Sequence, residues 1–358
     1  MKKEEDIKQM LAHLQAQEGT SLHIEEDAIL LEYQKINANR SGIAIKALTI
    51  FGGLLASLAF LGFLFIAQLF DSGAAMLTLG LAFTIGAIWL SKAYDKLIID
   101  TTAVSLYGIG LFMMTFGLGS SQAGENTICI LLIIIAIATL AIVQNYILSF
   151  IGVLVVNGAI IFLIVDNNFN LLHIYIALAV IILTLLVFNE ASLITAGKKI
   201  SRLYNPVRLA LIVSLLAAWM FLIGNFGRFA LSIHFNLVSS LAAIAAIFYL
   251  LPRIIRLLDI QPVAVRVGVY LITALLLAPT VYAPAISGAL LLTLLSFWVN
   301  YKTGFALGII ALVYFICQYY YDLQFTLLTK SLLMMASGAL FLLFYLLTHK
   351  KLNQHEKI

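Results

Sequence analysis

NTICILLIIIAIATLAIVQNYILSFIGVLVVNGAIIFLIV, residues 126–165, runs for forty positions without a charged side chain. Crossing a bilayer as a helix takes about 20 mostly apolar residues. The stretch therefore holds two spans, 126–143 and 146–165, separated only by Gln144 and Asn145. So short a break predicts a tight helical hairpin. The rest of the chain has the same character. Of 358 residues, 63% are hydrophobic and 11% charged, against about 25% charged in soluble domains. One water-soluble core cannot hide that much apolar surface, so the solvent for most of this chain is lipid.

Twelve apolar runs follow one another from residue 43: 46–70, 73–91, 101–119, 126–143, 146–165, 171–189, 208–225, 236–251, 265–279, 284–300, 303–321 and 330–347. The expected fold is all-α, a polytopic transmembrane helical bundle of about 12 spans with a short N-terminal helical cap. Residues 1–42 form a cytoplasmic amphipathic segment, 43–348 the bundle and 349–358 a cytoplasmic tail. In the cap, Ile7, Met10, Leu11 and Leu14 give one apolar helical face. Eight of the 17 acidic residues precede residue 33, so the remainder is basic and oily. No secretory signal pattern is visible at the N-terminus.

The basic residues test the count. With the N-terminus inside and the spans alternating, 19 of the 21 Lys and Arg fall on inside segments, and only Arg228 and Lys330 fall outside. That bias is the positive-inside rule. It predicts an inner-membrane protein with both termini cytoplasmic, and it gives the basic excess a role in topology rather than in nucleic-acid binding. All five prolines lie near expected span ends. Gly304 and Gly308 form a GxxxG, and Gly53 with Ser57 a small-xxx-small pair; both permit close helix packing, within the bundle or between copies.

Sites of chemistry are sparse. The sequence carries no HExxH, GxSxG triad pattern, Walker loop or Rossmann fingerprint. Cys129 and Cys317 read as small core residues, and no metal or cofactor is expected. The ionisable groups fall at or near span ends, whereas an ion-coupled carrier places them near the midplane. The mid-membrane polar groups are neutral: Gln68, Thr84, Asn157, Asn225 and Gln318. Asn157 either hydrogen-bonds a neighbouring helix or contacts a substrate. Tyr319, Tyr320 and Tyr321 end the eleventh span as interfacial aromatics. Beyond them, Asp322 and Lys330 are the outer ionisable residues of interest. Lys330 either snorkels, pairs with Asp322, Glu125 or Asp166, or binds phosphate.

The C-terminal region carries a resemblance. Tyr320, Tyr321, Leu323, Thr326, Leu327, Leu328, Lys330, Ser331 and Gly338 form YYxLxxTLLxKSxxxxxxG. This resembles the signature of a bacterial polytopic family, domain-of-unknown-function family 4401. NRSGIAIKALTIFGGLLASLAFLGF at residues 39–63 also resembles related membrane proteins that begin with a helical cap. The resemblance implies a membrane partner, a GDYxxLxY-type protein encoded nearby, and brings no catalytic residues.

Three classes of function follow. The first is a non-enzymatic component of a membrane complex, in contact with lipid and partner through the cap and the Tyr320–Lys330 edge. The second is a transporter or lipid-handling protein for a neutral or amphipathic substrate. Its two-half plan is similar to that of the major facilitator carriers, but SKAYDK at residues 91–96 lacks their glycine- and arginine-rich loop pattern. The third is a membrane enzyme, which requires Asp322, Lys330, His234 and His173 to converge. The Lys330 proposal is open to a direct check: Lys330→Gln should lower the thermal stability of the purified protein if the ammonium is paired. Unchanged melting and an unchanged cellular phenotype would dismiss that role.

Overall fold

The computed structural model describes residues 72–93, 97–143, 145–224, 233–259 and 261–322, with scattered positions between 52 and 67 and between 328 and 342. Among these residues every regular element is a helix: α1 (Gly73–Ala93), α2 (Leu97–Ser120), α3 (Glu125–Ile142), α4 (Tyr146–Asn167), α5 (Leu171–Phe188), α6 (Glu190–Thr195), α7 (Lys198–Gly224), α8 (Ile233–Leu257), α9 (Val263–Leu277), a 3-10 turn (Pro279–Tyr282), α10 (Pro284–Trp298) and α11 (Lys302–Asp322). Among the described residues nine segments are long and apolar enough to cross a membrane, and Pro284–Trp298 is a shorter apolar helix. Each corresponds to one of the second to eleventh expected runs. Most of the first and twelfth runs, the cap and the tail lie outside the described residues.

The opening stretch folds as the predicted hairpin. α3 closes where Val143 N–H donates to the Thr139 carbonyl. Asn145 then caps α4: its Oδ1 accepts from Ile147 N–H at 2.8 Å and Leu148 N–H at 3.4 Å. A short polar side chain before a helix satisfies donors that have no intrahelical partner. Gly152 lets the arms meet, since a Cβ there would lie 3.2 Å from Leu140 Cγ.

The chain forms two compact units, Met1–Ala159 and Ile160–Ile358, with the division inside α4. The first is organised by glycine. Gly73 and Gly80 on α1 lie opposite Gly117 and Gly110 on α2. A Cβ on Gly80 would sit 2.9 Å from the Gly110 carbonyl oxygen, and one on Gly110 would sit 2.9 Å from the Gly80 oxygen. A Cβ on Gly117 would fall 2.8 Å from the Gly73 oxygen. The glycines on each helix are seven residues apart, and the next positions in each series, Ala87 and Ala103, are fully buried. A seven-residue repeat keeps one seam facing the partner along antiparallel helices, and glycine lets the backbones touch. Thr84 stays satisfied in that seam by donating to the Gly80 carbonyl at 2.8 Å. Met76, Ile109 and Met113 pack beside it with Leu64, and Phe60 meets Phe83 edge-on at 5.4 Å.

The second unit is built around Trp219, which is fully buried and packs edge-on to Phe315 at 6.4 Å. Gly288 on α10 lies under its ring, so closely that a Cβ there would overlap the indole. Gly304 and Gly308 pack within this unit, against Ser296 and Tyr301 and against Thr293. The GxxxG therefore joins α11 to α10. Gly53 and Ser57 lie outside the described residues.

Three expectations change. The basic segment before residue 208 is helical: α7 starts at Lys198 and runs through Pro206. Pro206 sits near the helix start, where the one backbone hydrogen bond it removes lies close to the membrane surface. α8 likewise continues through Pro252 to Leu257, with Arg253 held against aromatic faces, described below. Cys129 is buried as expected, but Cys317 is exposed on α11; in a bilayer the apolar thiol faces hydrocarbon as readily as core.

The glycine seam yields a contrast within one helix. Gly80→Ala or Gly110→Ala should destabilise the protein by about 1–3 kcal/mol, as overpacking does. Gly108→Ala should be neutral or slightly stabilising, because nothing lies within 4 Å of its Cβ position. Thermal unfolding of the purified variants in detergent measures both; equal effects at positions 108 and 110 would contradict the seam.

Candidate functional site

The residues singled out from the sequence do not gather at one described place. Asn157 on α4 is buried and donates from Nδ2 to the Val153 carbonyl, one turn back on its own helix, at 2.8 Å. Tyr320 and Tyr321 end α11 with ring centroids 6.3 Å apart and nearly perpendicular planes. Tyr321 is 78% exposed, the position of an interfacial tyrosine. The Asp322 side chain, Lys330 and the His234 side chain lie outside the described residues. His173, expected at the outer rim, is fully buried near the start of α5, with Nδ1 3.0 Å from Ser239 Oγ of α8. Its Nε2 finds no partner among the described residues.

Arg208 lies among helix ends, where ionisable groups were expected, but it is buried there. It lies ten residues after Lys198, in the N-terminal part of α7, and is only 6% exposed. A buried guanidinium requires compensation, and four side chains supply it. Nη1 donates to Glu190 Oε1 at 3.1 Å and to the Tyr204 hydroxyl at 3.4 Å. Nη2 donates to Asn205 Oδ1 at 2.9 Å. The Tyr301 ring lies 3.9 Å from the guanidinium carbon, on the approach that its π-face favours. Glu190 opens α6, and Tyr301 sits in the turn between α10 and α11.

A second arginine sits in a comparable cage without a carboxylate. The Arg253 guanidinium lies 3.9 Å from the Phe188 ring centroid, 4.7 Å from Tyr249 and 5.8 Å from Trp298. Phe188 meets both other rings edge-on at 5.1 Å. Together these clusters gather the C-terminal ends of α5, α8 and α10 with the N-terminal ends of α7 and α11. They lie at one end of the second unit. At the other end, Phe169 before α5 meets Phe221 near the end of α7 at 6.0 Å. Consecutive spans alternate in direction here, the arrangement that the distribution of Lys and Arg requires.

Sequence reasoning missed this cluster because it placed Glu190 in the loop 190–207 and Arg208 at the first position of the next span, where neither was expected to be buried. The available signal was spacing: Tyr204 and Arg208 are four residues apart, on one helical face. The arrangement pairs Arg208 with Glu190 and holds Arg253 against aromatic faces, and its acid is committed to an ion pair, so its chemistry is structural clamping. No group of three or more potential metal ligands occurs among the described residues.

Removing one partner of a buried pair leaves the other charge uncompensated. Glu190→Gln should lower stability by about 1.5–3 kcal/mol, the range for hydrogen bonds to charged groups. Combining it with Arg208→Met should recover much of that loss. A double-mutant cycle read by thermal unfolding measures the coupling; additive losses would contradict the pair.

No curated protein and no solved structure gives a match. The family described as Domain of unknown function (DUF4401) matches over residues 43–351. That match spans all the described helices and the YYxLxxTLLxKS signature, and the chain belongs to this family.

Proposed function

We propose that this multi-pass membrane protein is a non-enzymatic component of a complex in the bacterial inner membrane, with both termini cytoplasmic. The observation that carries the reading is the span Val263–Tyr282. Only 6% of it is buried within the chain, against 50–56% for the spans of α5, α7 and α8. Val263, Val267, Leu271 and Leu275 recur every four residues on α9, and all are exposed. In lipid such a face has no hydrophobic penalty, but association there is driven by packing and hydrogen bonding between helices. A span with so little packing among the described residues offers a helical partner a long contact line. The family resemblance supplies the partner's character, a GDYxxLxY-type membrane protein.

The carrier reading calls for a midplane cavity lined by Asn157, Asn225 or Gln318. The amide of Asn157 is instead engaged with its own helix, and Asn225 lies outside the described residues. The enzyme reading needs outer ionisable groups to converge, and His173 is turned into the core beside Ser239.

A photo-crosslinking amino acid placed at Leu271 or Leu275 in cells tests the proposal. The expected outcome is a discrete adduct whose partner, identified by mass spectrometry, is a membrane protein carrying GDYxxLxY. Lipid-only labelling at both positions, or adducts with a second copy alone, would contradict it.

A further inference from the structure

A pocket of about 240 Å³ opens where α8 ends and α9 begins. Its polar lining is Arg256, Asp259, Gln261, Arg266 and Tyr270, with Ile255 as an apolar wall. Arg256 belongs to the last turn of α8, and Arg266 to the first turn of α9. The turn between them depends on Asp259, whose φ of 49° is a left-handed conformation that Asp and Asn tolerate best among residues with side chains. The Asp259 carboxylate accepts a hydrogen bond from the Gln261 amide.

We propose that this pocket binds a phosphate anion, presented by a lipid headgroup or by a soluble phosphate compound. Two features of the pocket converge on that chemistry. Two arginines from different helices line the pocket with one aspartate, a net positive lining, and guanidinium groups match phosphate oxygens in pairs. The site also joins the ends of two spans, and Tyr270 lies one turn beyond Arg266. By the charge count this end is cytoplasmic, where anionic lipids attract arginine.

The test uses the purified full-length chain in neutral detergent. It is titrated separately with dioleoyl-phosphatidylglycerol, dioleoyl-phosphatidylcholine and inorganic phosphate, and binding is read by native mass spectrometry and thermal shift. Phosphatidylglycerol binding that inorganic phosphate does not displace assigns the site to a lipid. Binding of inorganic phosphate alone, without preference for phosphatidylglycerol over phosphatidylcholine, assigns it to a soluble phosphate. Arg256→Gln and Arg266→Gln should each weaken binding about fivefold, the value of one interfacial charge. Asp259→Asn keeps the turn and removes the competing carboxylate, so it should tighten binding by a similar factor. That variant keeps the test open if the arginine variants fail to fold. Binding of neither ligand overturns the proposal. So does unchanged affinity in folded Arg256→Gln and Arg266→Gln, or weaker binding in Asp259→Asn. A loss of melting temperature in the arginine variants with ligand affinity intact would assign these residues to helix capping alone and also overturn it.

Discussion

In a hydrocarbon solvent every backbone N–H and C=O must be satisfied inside its own segment. That constraint turns each apolar run of this chain into a helix before any packing is considered. It also removes the usual reason for helices to associate, because lipid tails are as apolar as leucine. What holds the described helices together is therefore close contact and polar pairing. The two units use different versions of this answer. In the first, Gly73, Gly80, Gly110 and Gly117 bring α1 and α2 into backbone contact over a seven-residue repeat. In the second, Trp219 fills the space over Gly288, and Arg208 and Arg253 draw helix ends together through aromatic faces.

The arginine clusters connect stability to topology. Lys and Arg settle on one side of a membrane during insertion, and in the second unit two of them acquire structural partners there. Arg208 depends on Glu190, Tyr204, Asn205 and Tyr301, residues from helix ends that must lie on the same side for the contacts to form. An insertion error that moved any of these ends across the bilayer would strand a buried guanidinium. The clamp thus favours the same arrangement that the charge distribution favours during insertion.

Much of this was legible in the sequence. Hydropathy alone located ten of the runs that the structure describes as helices, and Gln144–Asn145 marked the hairpin. The reason is physical: lipid imposes a length and a composition on each span, and both are one-dimensional. The losses occurred where three dimensions matter. Pro206 and the basic residues before it read as a loop, yet the helix runs through them because Arg208 is anchored. The glycines of α1 and α2 gave no GxxxG, so their register across two helices was invisible until the antiparallel pairing was known. His173 read as an outer-rim residue, and only the position of Ser239 on α8 turns it into the core. The pocket between α8 and α9 joins arginines ten residues apart, whose convergence depends on the turn at Asp259.

The central claim is that the chain threads the bilayer with alternating direction and with its basic helix ends on the cytoplasmic side. Substituted-cysteine labelling in intact cells, with Cys129 and Cys317 replaced by serine, tests it most directly. A membrane-impermeant maleimide should reach cysteine at Gln122 and Asn168 from outside, and cysteine at Ser201 only after the membrane is permeabilised. Labelling of position 201 in intact cells, or of all three positions from one side, would contradict it.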